Sequence, residues 1–344
     1  MSGSSRYGSG ARIDLSHGGG GRAMQQLIDA VFKPAFDNPC LKRGNDQAQF
    51  ELAGGRYAFS TDSYVISPLF FPGGDIGSLA VHGTVNDLAM GGATPLHLSA
   101  GFIIEEGFPL ADLVRIANSM GAAARAAGVA IVTGDTKVVE RGKGDGVFIN
   151  TAGIGRVADG VDLSGDRARP GDAILVSGSI GDHGVAIMAS RSGLTFETTI
   201  RSDSAALHTL VADMLVAAPG SMRTLRDPTR GGLAATLNEI AQQSGVGMRL
   251  EEAAIPLKAE VRGACELLGL DPLNVANEGK LIAICASADA QRILAAMRAH
   301  PLGRDAAQIG HITADPQHFV EMRTVFGGRR MVDWLHGEQL PRIC

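Results

Sequence analysis

The chain has 344 residues, 45% of them hydrophobic and 19% charged, which is enough to bury a core and form two domains of ordinary size and excludes disorder as the main state. Its 31 Lys and Arg stand against 36 Asp and Glu, a net charge of −5 with no long basic run, so the electrostatic footprint for nucleic acid or an anionic membrane is missing. Glycine is the outlier at 46 residues, roughly twice the usual ~7%.

Residues 1–22 are small, polar and Gly-rich, with no apolar stretch of the secretory kind, and no apolar run approaches the ~20 residues of a membrane span. The four cysteines, Cys40, Cys265, Cys285 and Cys344, have no Cys-x-x-Cys or Cys/His spacing, so neither a zinc site nor a disulfide framework is expected. A cytoplasmic protein fits both observations. Within the arm, Ser16-His17-Gly18-Gly19-Gly20-Gly21-Arg22 precedes a helix expected from Met24. A flexible linker is the plain reading; a lid whose backbone N–H groups reach a phosphate is the chemical one.

The segment 57–66 reads as a strand, and Ile76, Leu79, Ala80, Leu88 and Ala89 recur at helical spacing before Gly91-Gly92. A second helix is expected over 109–127, then strands over 129–133 and 146–157. The polar segment 158–170 marks a domain boundary. Beyond it, helices are predicted over 182–192, 203–217, 229–244, 258–268 and 288–299, and strands over 173–177, 247–250, 280–285, 307–313 and 319–325. This is an α/β or α+β chain of two similar halves. The tail 336–344 carries Pro341, has no periodicity and is expected to lie mobile outside the core.

Acidic residues stand at the ends of apolar segments: Asp62 in Ser60-Thr61-Asp62-Ser63, Asp87 in Asn86-Asp87-Leu88, Asp135 in Thr133-Gly134-Asp135-Thr136-Lys137, and Asp227 in Arg226-Asp227-Pro228-Thr229-Arg230-Gly231-Gly232. Carboxylates arriving from separate segments suit Mg²⁺, which takes a few of them and completes its shell with water and phosphate oxygens. Each Asp alone also reads as a cap or turn residue; Asp87, in the apolar body of a helix, is the hardest to explain so. Lys137 reads as a neutraliser of phosphoryl charge or a surface lysine, and Glu278 before an apolar strand as a general base or a solvated loop residue. Asp182-His183-Gly184 reads as a helix start beside a ligand or a simple cap. Cys344 is the last residue; a thiol on a mobile tail suits a swinging arm that visits more than one active site.

Together these segments resemble the PurM-like superfamily of ATP-using synthetases that includes aminoimidazole ribonucleotide synthetase, selenophosphate synthetase and thiamine-monophosphate kinase. Within it they are most similar to the carbamoyl dehydratase family of hydrogenase maturation factors, and the terminal Pro341-Arg342-Ile343-Cys344 is the most specific match. The resemblance implies an arm and lead-in helix over 1–45, an N-terminal ATP-binding domain over 46–158 that dimerises through a shared β-barrel, a C-terminal α/β domain over 168–330, and a mobile tail over 336–344. It implies Mg²⁺ on Asp62, Asp87 and Asp227, ATP contacts from Asp62, Asp87, Gly134, Asp135 and Thr136 beneath Gly18, Gly19 and Gly20, and Lys137 and Glu278 near the reacting group.

The implied reaction is ATP-dependent dehydration of a thiocarboxamide on Cys344 to a thiocyanate, which supplies cyanide to the iron of a nickel–iron hydrogenase. The implied partners are a second copy of the chain, the carbamoyltransferase HypF and a HypC–HypD scaffold complex. Two other readings remain open. A selenophosphate synthetase-like enzyme would be expected to carry a cysteine or selenocysteine beside a lysine near the N-terminus, where Ser16-His17-Gly18 has neither. A nucleotide-binding maturation scaffold would use the same motifs without turnover.

Overall fold

In the computed structural model the described residues are 21–27, 29, 48–52, 54–192, 200–335 and 342–344. Gly18, Gly19, Gly20 and Cys40 lie outside them. The first sheet has five strands in the order β1 (Ala48–Leu52), β2 (Gly55–Tyr64), β7 (Val147–Val157), β5 (Ala93–Glu105) and β6 (Ala130–Val139). All neighbours are antiparallel except β5 and β6. In β2, Ala58, Ser60 and Tyr64 are buried while Phe59 is 44% exposed, the period-2 pattern of a sheet with one covered face.

The covering element is the helix Ile76–Met90. Asp75 starts it with a capping box, accepting hydrogen bonds from the N–H groups of Gly77 (2.8 Å) and Ser78 (3.0 Å). Ile76, Leu79, Val81, Val85 and Leu88 are all fully buried, so the helix is apolar all round and lies inside the molecule. One side packs on the first sheet and the helix Leu110–Ala126, the other on the helix His208–Ala217 of the second half. Gly83 lets Tyr64 cross it closely, since an added Cβ would lie 2.2 Å from the Tyr64 Oη.

The second sheet runs β14 (Arg329–Met331), β13 (Val320–Arg323), β10 (Gly247–Glu251), β12 (Ala307–Thr313), β8 (Ala173–Val176), β11 (Ile282–Cys285), β9 (Met222–Arg226). Its central strands β8 and β11 are buried on both faces. Ala173, Leu175, Ala283 and Cys285 pack with the helices His208–Ala217 and Ala290–Ala299; Ile174, Val176, Ile282 and Ile284 pack with the helix Gly232–Ser244. The second half is therefore a helix–sheet–helix sandwich, and the chain has the expected α/β architecture of two halves, each built on its own sheet.

Two local expectations change, and one strand was not expected. The strand expected over 129–133 continues to Val139, because parallel pairing with β5 supplies backbone hydrogen bonds whatever the side chains. The thirteen-residue β5 gives no clean alternation because its register shifts between Pro95 and His97, where a proline cannot donate to the ladder. The helix expected over 203–217 begins at His208. The residues before it are tied to Asn86, whose Nδ2 donates to the Ala205 carbonyl (3.0 Å) and whose Oδ1 accepts from the Leu207 N–H (2.8 Å). Among the described residues, no helix is long and apolar enough to cross a membrane.

Candidate active site

The largest departure from expectation is the end of the chain. Residues 342–344 are not outside the core: Ile343 and Cys344 belong to the buried cluster that contains Tyr64, Ile66 and Ile187, and Cys344 is only 8% exposed. They pair antiparallel with the chain leaving β2. The Val65 N–H donates to the Cys344 carbonyl and the Ser67 N–H to the Arg342 carbonyl, both at 3.2 Å. Side chains reinforce this pairing. Arg342 Nε donates to the Val65 carbonyl (2.8 Å) and its guanidinium pairs with Asp145.

His183, in the first turn of the helix Asp182–Ser192, is fully buried, and burial holds its pKa below the usual value. Its Nε2 lies 2.7 Å from the Ile343 carbonyl and its Nδ1 2.7 Å from Ser202 Oγ. A carbonyl only accepts, so Nε2 carries the proton and Nδ1 accepts from the serine hydroxyl. Asp182 beside it accepts from Ser179 Oγ (2.6 Å) and pairs with Lys258 (2.9 Å).

This docking sets Cys344 against Arg230 and Glu278. Burial pushes the Cys344 thiol up to about 12; the charge and hydrogen bond of the Arg230 guanidinium oppose the rise, and Glu278 and Asp62 add to it. Glu278 is 3% exposed, not a solvated loop residue, and its Oε1 has no hydrogen-bond partner. Burial first, then Asp227, Asp62 and Asp203, lift its carboxyl well above the ordinary glutamate range, against Arg230.

The backbone of Glu278 is tied down on both sides. Its N–H donates to Asp203 Oδ1 (3.0 Å), and its carbonyl accepts from Asn86 Nδ2 (3.2 Å). Asp203 is paired with the partly buried Lys280 at 3.1 Å. Asn277 fastens two further loops, accepting from the Gly181 N–H (2.8 Å) and donating to the Pro228 carbonyl (3.0 Å). At Gly279 an added Cβ would lie 1.8 Å from the Asp203 carbonyl oxygen, so only glycine lets the Glu278 loop approach that closely.

Asp62 shares the inner face of β2 with Ser60, and Ser60 Oγ donates to Asp87 (2.5 Å), so Asp62 and Asp87 open on the same space. Both act with Glu278 on the buried Tyr64 hydroxyl, whose pKa burial raises first. Four expected residues, Asp62, Asp227, Glu278 and Cys344, thus meet where the two halves face each other, with Asp87 beside Asp62. Among the described residues, however, no group of three or more His, Cys, Asp and Glu side chains stands close enough to hold a metal ion alone. The donors instead fit a hard cation that takes most of its shell from water and phosphate oxygens.

Lys137 and Asp135 lie elsewhere. The pairings Asp62 with Thr151, Thr151 with Ala100 and Ala100 with Gly134 put Gly134 in the cross-sheet row of Asp62, three strand spacings or about 14 Å away. Asp135 and Lys137 project from the opposite face. There they pair at 2.6 Å with side chains 69% and 68% exposed. Sequence reasoning missed Arg230 and the tail-binding role of His183. Both sat inside motifs that drew attention, but nothing in the spacing tells which neighbour a side chain meets.

Residues 44–157 match the model of the AIR synthase related protein N-terminal domain, and residues 169–323 that of the C-terminal domain. The chain is 68% identical over 333 residues to the carbamoyl dehydratase HypE of Rhizobium leguminosarum bv. viciae, covering 97% of this chain and 95% of that protein. Among solved structures it is similar to a HypE–HypF complex (TM-score 0.86, 48% identity, 90% of this chain and 99% of that one). It is also similar to a hydrogenase maturation protein HypE in complex with ATP (TM-score 0.81, 53% identity, 97% and 100%).

Proposed function

The chain belongs to the AIR synthase related family and, within it, to the HypE carbamoyl dehydratases, and from that premise we propose that it dehydrates a carbamoyl group carried on its own Cys344, using ATP, to supply cyanide during hydrogenase maturation. The observation that carries the reading is the docking of Cys344 beside Arg230 and the orphaned carboxyl of Glu278.

The oxygen of a thiocarboxamide is a very poor leaving group. Transfer of the ATP γ-phosphoryl group to that oxygen lets it depart as phosphate, and loss of both amide protons leaves a C–N triple bond on Cys344 sulfur. The net change is the loss of one water. Positioning, charge neutralisation and proton removal are what the protein supplies. Glu278 takes a proton from the nitrogen; its surroundings favour the protonated form, so it is a strong base once ionised. Arg230 holds the sulfur. Asp62, Asp87 and Asp227 would hold Mg²⁺ together with the ATP phosphates, the ion supplying charge neutralisation. Gly18, Gly19 and Gly20 would cover the nucleotide, and the backbone of Gly134, Asp135 and Thr136 would contact it.

HypF is the proposed carbamoyl donor and a HypC–HypD complex the acceptor of cyanide. Intact-mass spectrometry after incubation with HypF, carbamoyl phosphate and ATP tests the reading: the chain should gain a carbamoyl group and then lose one water. A carbamoyl mass that persists with ATP present would leave only a nucleotide-binding scaffold.

We further propose that the enzyme is a homodimer joined through the outer face of the first sheet, where Phe59, Leu96, Ile103 and Val132 are exposed. Lys137 and Asp135 share that face, so they would serve the partner subunit's site. Mixing Lys137→Ala with Glu278→Gln chains should then recover about a quarter of the dehydration rate, because half the dimers are mixed and each regains one whole site. No recovery after verified exchange would assign Lys137 to its own subunit or to no site.

A further inference from the structure

Resting on the dehydration reading, we propose that His183, with Arg191 and Asp145, acts as a positioning device: it holds residues 342–344 docked against residues 65–67 and thereby favours dehydration at the expense of carbamoyl loading. The two backbone hydrogen bonds to Val65 and Ser67 would form with almost any tail sequence. The side chains select this one and fix its register.

Three contacts do so. His183 donates to the Ile343 carbonyl, one peptide unit from the Cys344 Cα, and the imidazole cannot swing away because Ser202 holds Nδ1 and Phe71 packs edge-on at 5.6 Å. Arg191, on the same helix, spans both segments by donating to the Ser67 and Arg342 carbonyls. Arg342 itself reaches back to the Val65 carbonyl and Asp145. Arg342 is held at φ +52, a conformation a non-glycine residue keeps only when its surroundings over-determine it. Slipping the tail by one residue would displace both Ile343 and Cys344 from the buried cluster they share.

The thiol that His183 sets beside Glu278 is buried, so no second protein reaches it in this arrangement. A single contact therefore has opposite consequences for the two half-reactions. Loading with carbamoyl needs the tail out; removing water needs it in. A residue that merely supported the fold would move both in the same direction.

The test uses the full chain with His183→Leu, His183→Gln and Arg342→Ala, the last acting from the tail side in case His183→Leu fails to fold. Three rates are read: iodoacetamide alkylation of Cys344 without partners, carbamoylation by HypF, and single-turnover water loss from the pre-carbamoylated chain. Leaving a buried carbonyl without its donor should raise alkylation and carbamoylation and slow water loss, each by roughly ten- to a hundredfold. His183→Gln, which retains an N–H donor, should recover part of the loss. Unchanged alkylation in both His183→Leu and Arg342→Ala, or a parallel fall in both half-reactions, would overturn the proposal. Faster alkylation in a chain that never gains a carbamoyl group would support the docking and overturn the dehydration reading instead.

Discussion

A Cys344→Ser chain is expected to fold, bind ATP and never acquire the mass of a carbamoyl group under conditions in which the wild-type chain is fully modified. The loss is complete because a serine hydroxyl is not appreciably ionised near neutral pH and is a far weaker nucleophile than a thiol. No other described cysteine can replace it. Cys265 and Cys285 are buried in the second half, where burial pushes their thiols up to about 11 and about 12. Stability should change little: the hydroxyl can keep the Arg230 hydrogen bond, and the smaller atom leaves a slight packing defect in the tail's cluster, a cost of about 1 kcal/mol. Intact-mass spectrometry and a thermal melt check both halves of this prediction. A carbamoyl mass on the serine chain would move the acceptor to another residue.

The expectation that the tail lies outside the core would have set that stability change at zero, and the reason it differs shows where sequence reading stops. Pro341 and the lack of periodicity are true of the tail, yet it docks. Its partners, Val65, Asp145, His183 and Arg191, lie 150 to 280 residues away, as the sequence separations of about 280 and 150 for the Arg342 contacts with Val65 and Arg191 make plain. What was legible were the apolar helix Ile76–Met90, the alternating β2 and β7, and the segment-end carboxylates, because each leaves a local periodicity or a conspicuous charge. The separation of Lys137 from Glu278 was not legible. It follows from strand parity: Gly134 and Lys137 differ by three positions and so project from opposite faces of β6, and the paired face is decided by β5. Arg230 and His183 were visible as charged or polar residues at helix starts, but their partner is the far end of the chain.

Glu278→Gln should separate the two half-reactions most sharply. The carbamoyl mass should still accumulate on Cys344, while ATP-dependent water loss falls by about 10²- to 10⁴-fold, the usual worth of a positioned general base. Glutamine keeps the shape, and the loop is fixed by its backbone through Asp203 and Asn86, so the loss comes from chemistry and not from geometry. Stability should move the other way. The folded-state carboxyl is raised above its unfolded value of about 4.3, first by burial and then by Asp227, Asp62 and Asp203. A raised acid binds its proton more tightly in the folded state, so it costs the fold stability at every pH above the unfolded value, and the cost fades as pH falls toward it. The glutamine chain, measured without nucleotide, should therefore melt above the wild type at pH 8, and the gap should close toward pH ~4.3. A glutamine chain that melts lower at every pH would mean that Arg230 and Glu278 form a stabilising pair. Water loss at the wild-type rate would remove Glu278 from the chemistry and leave the orphaned Oε1 without an explanation.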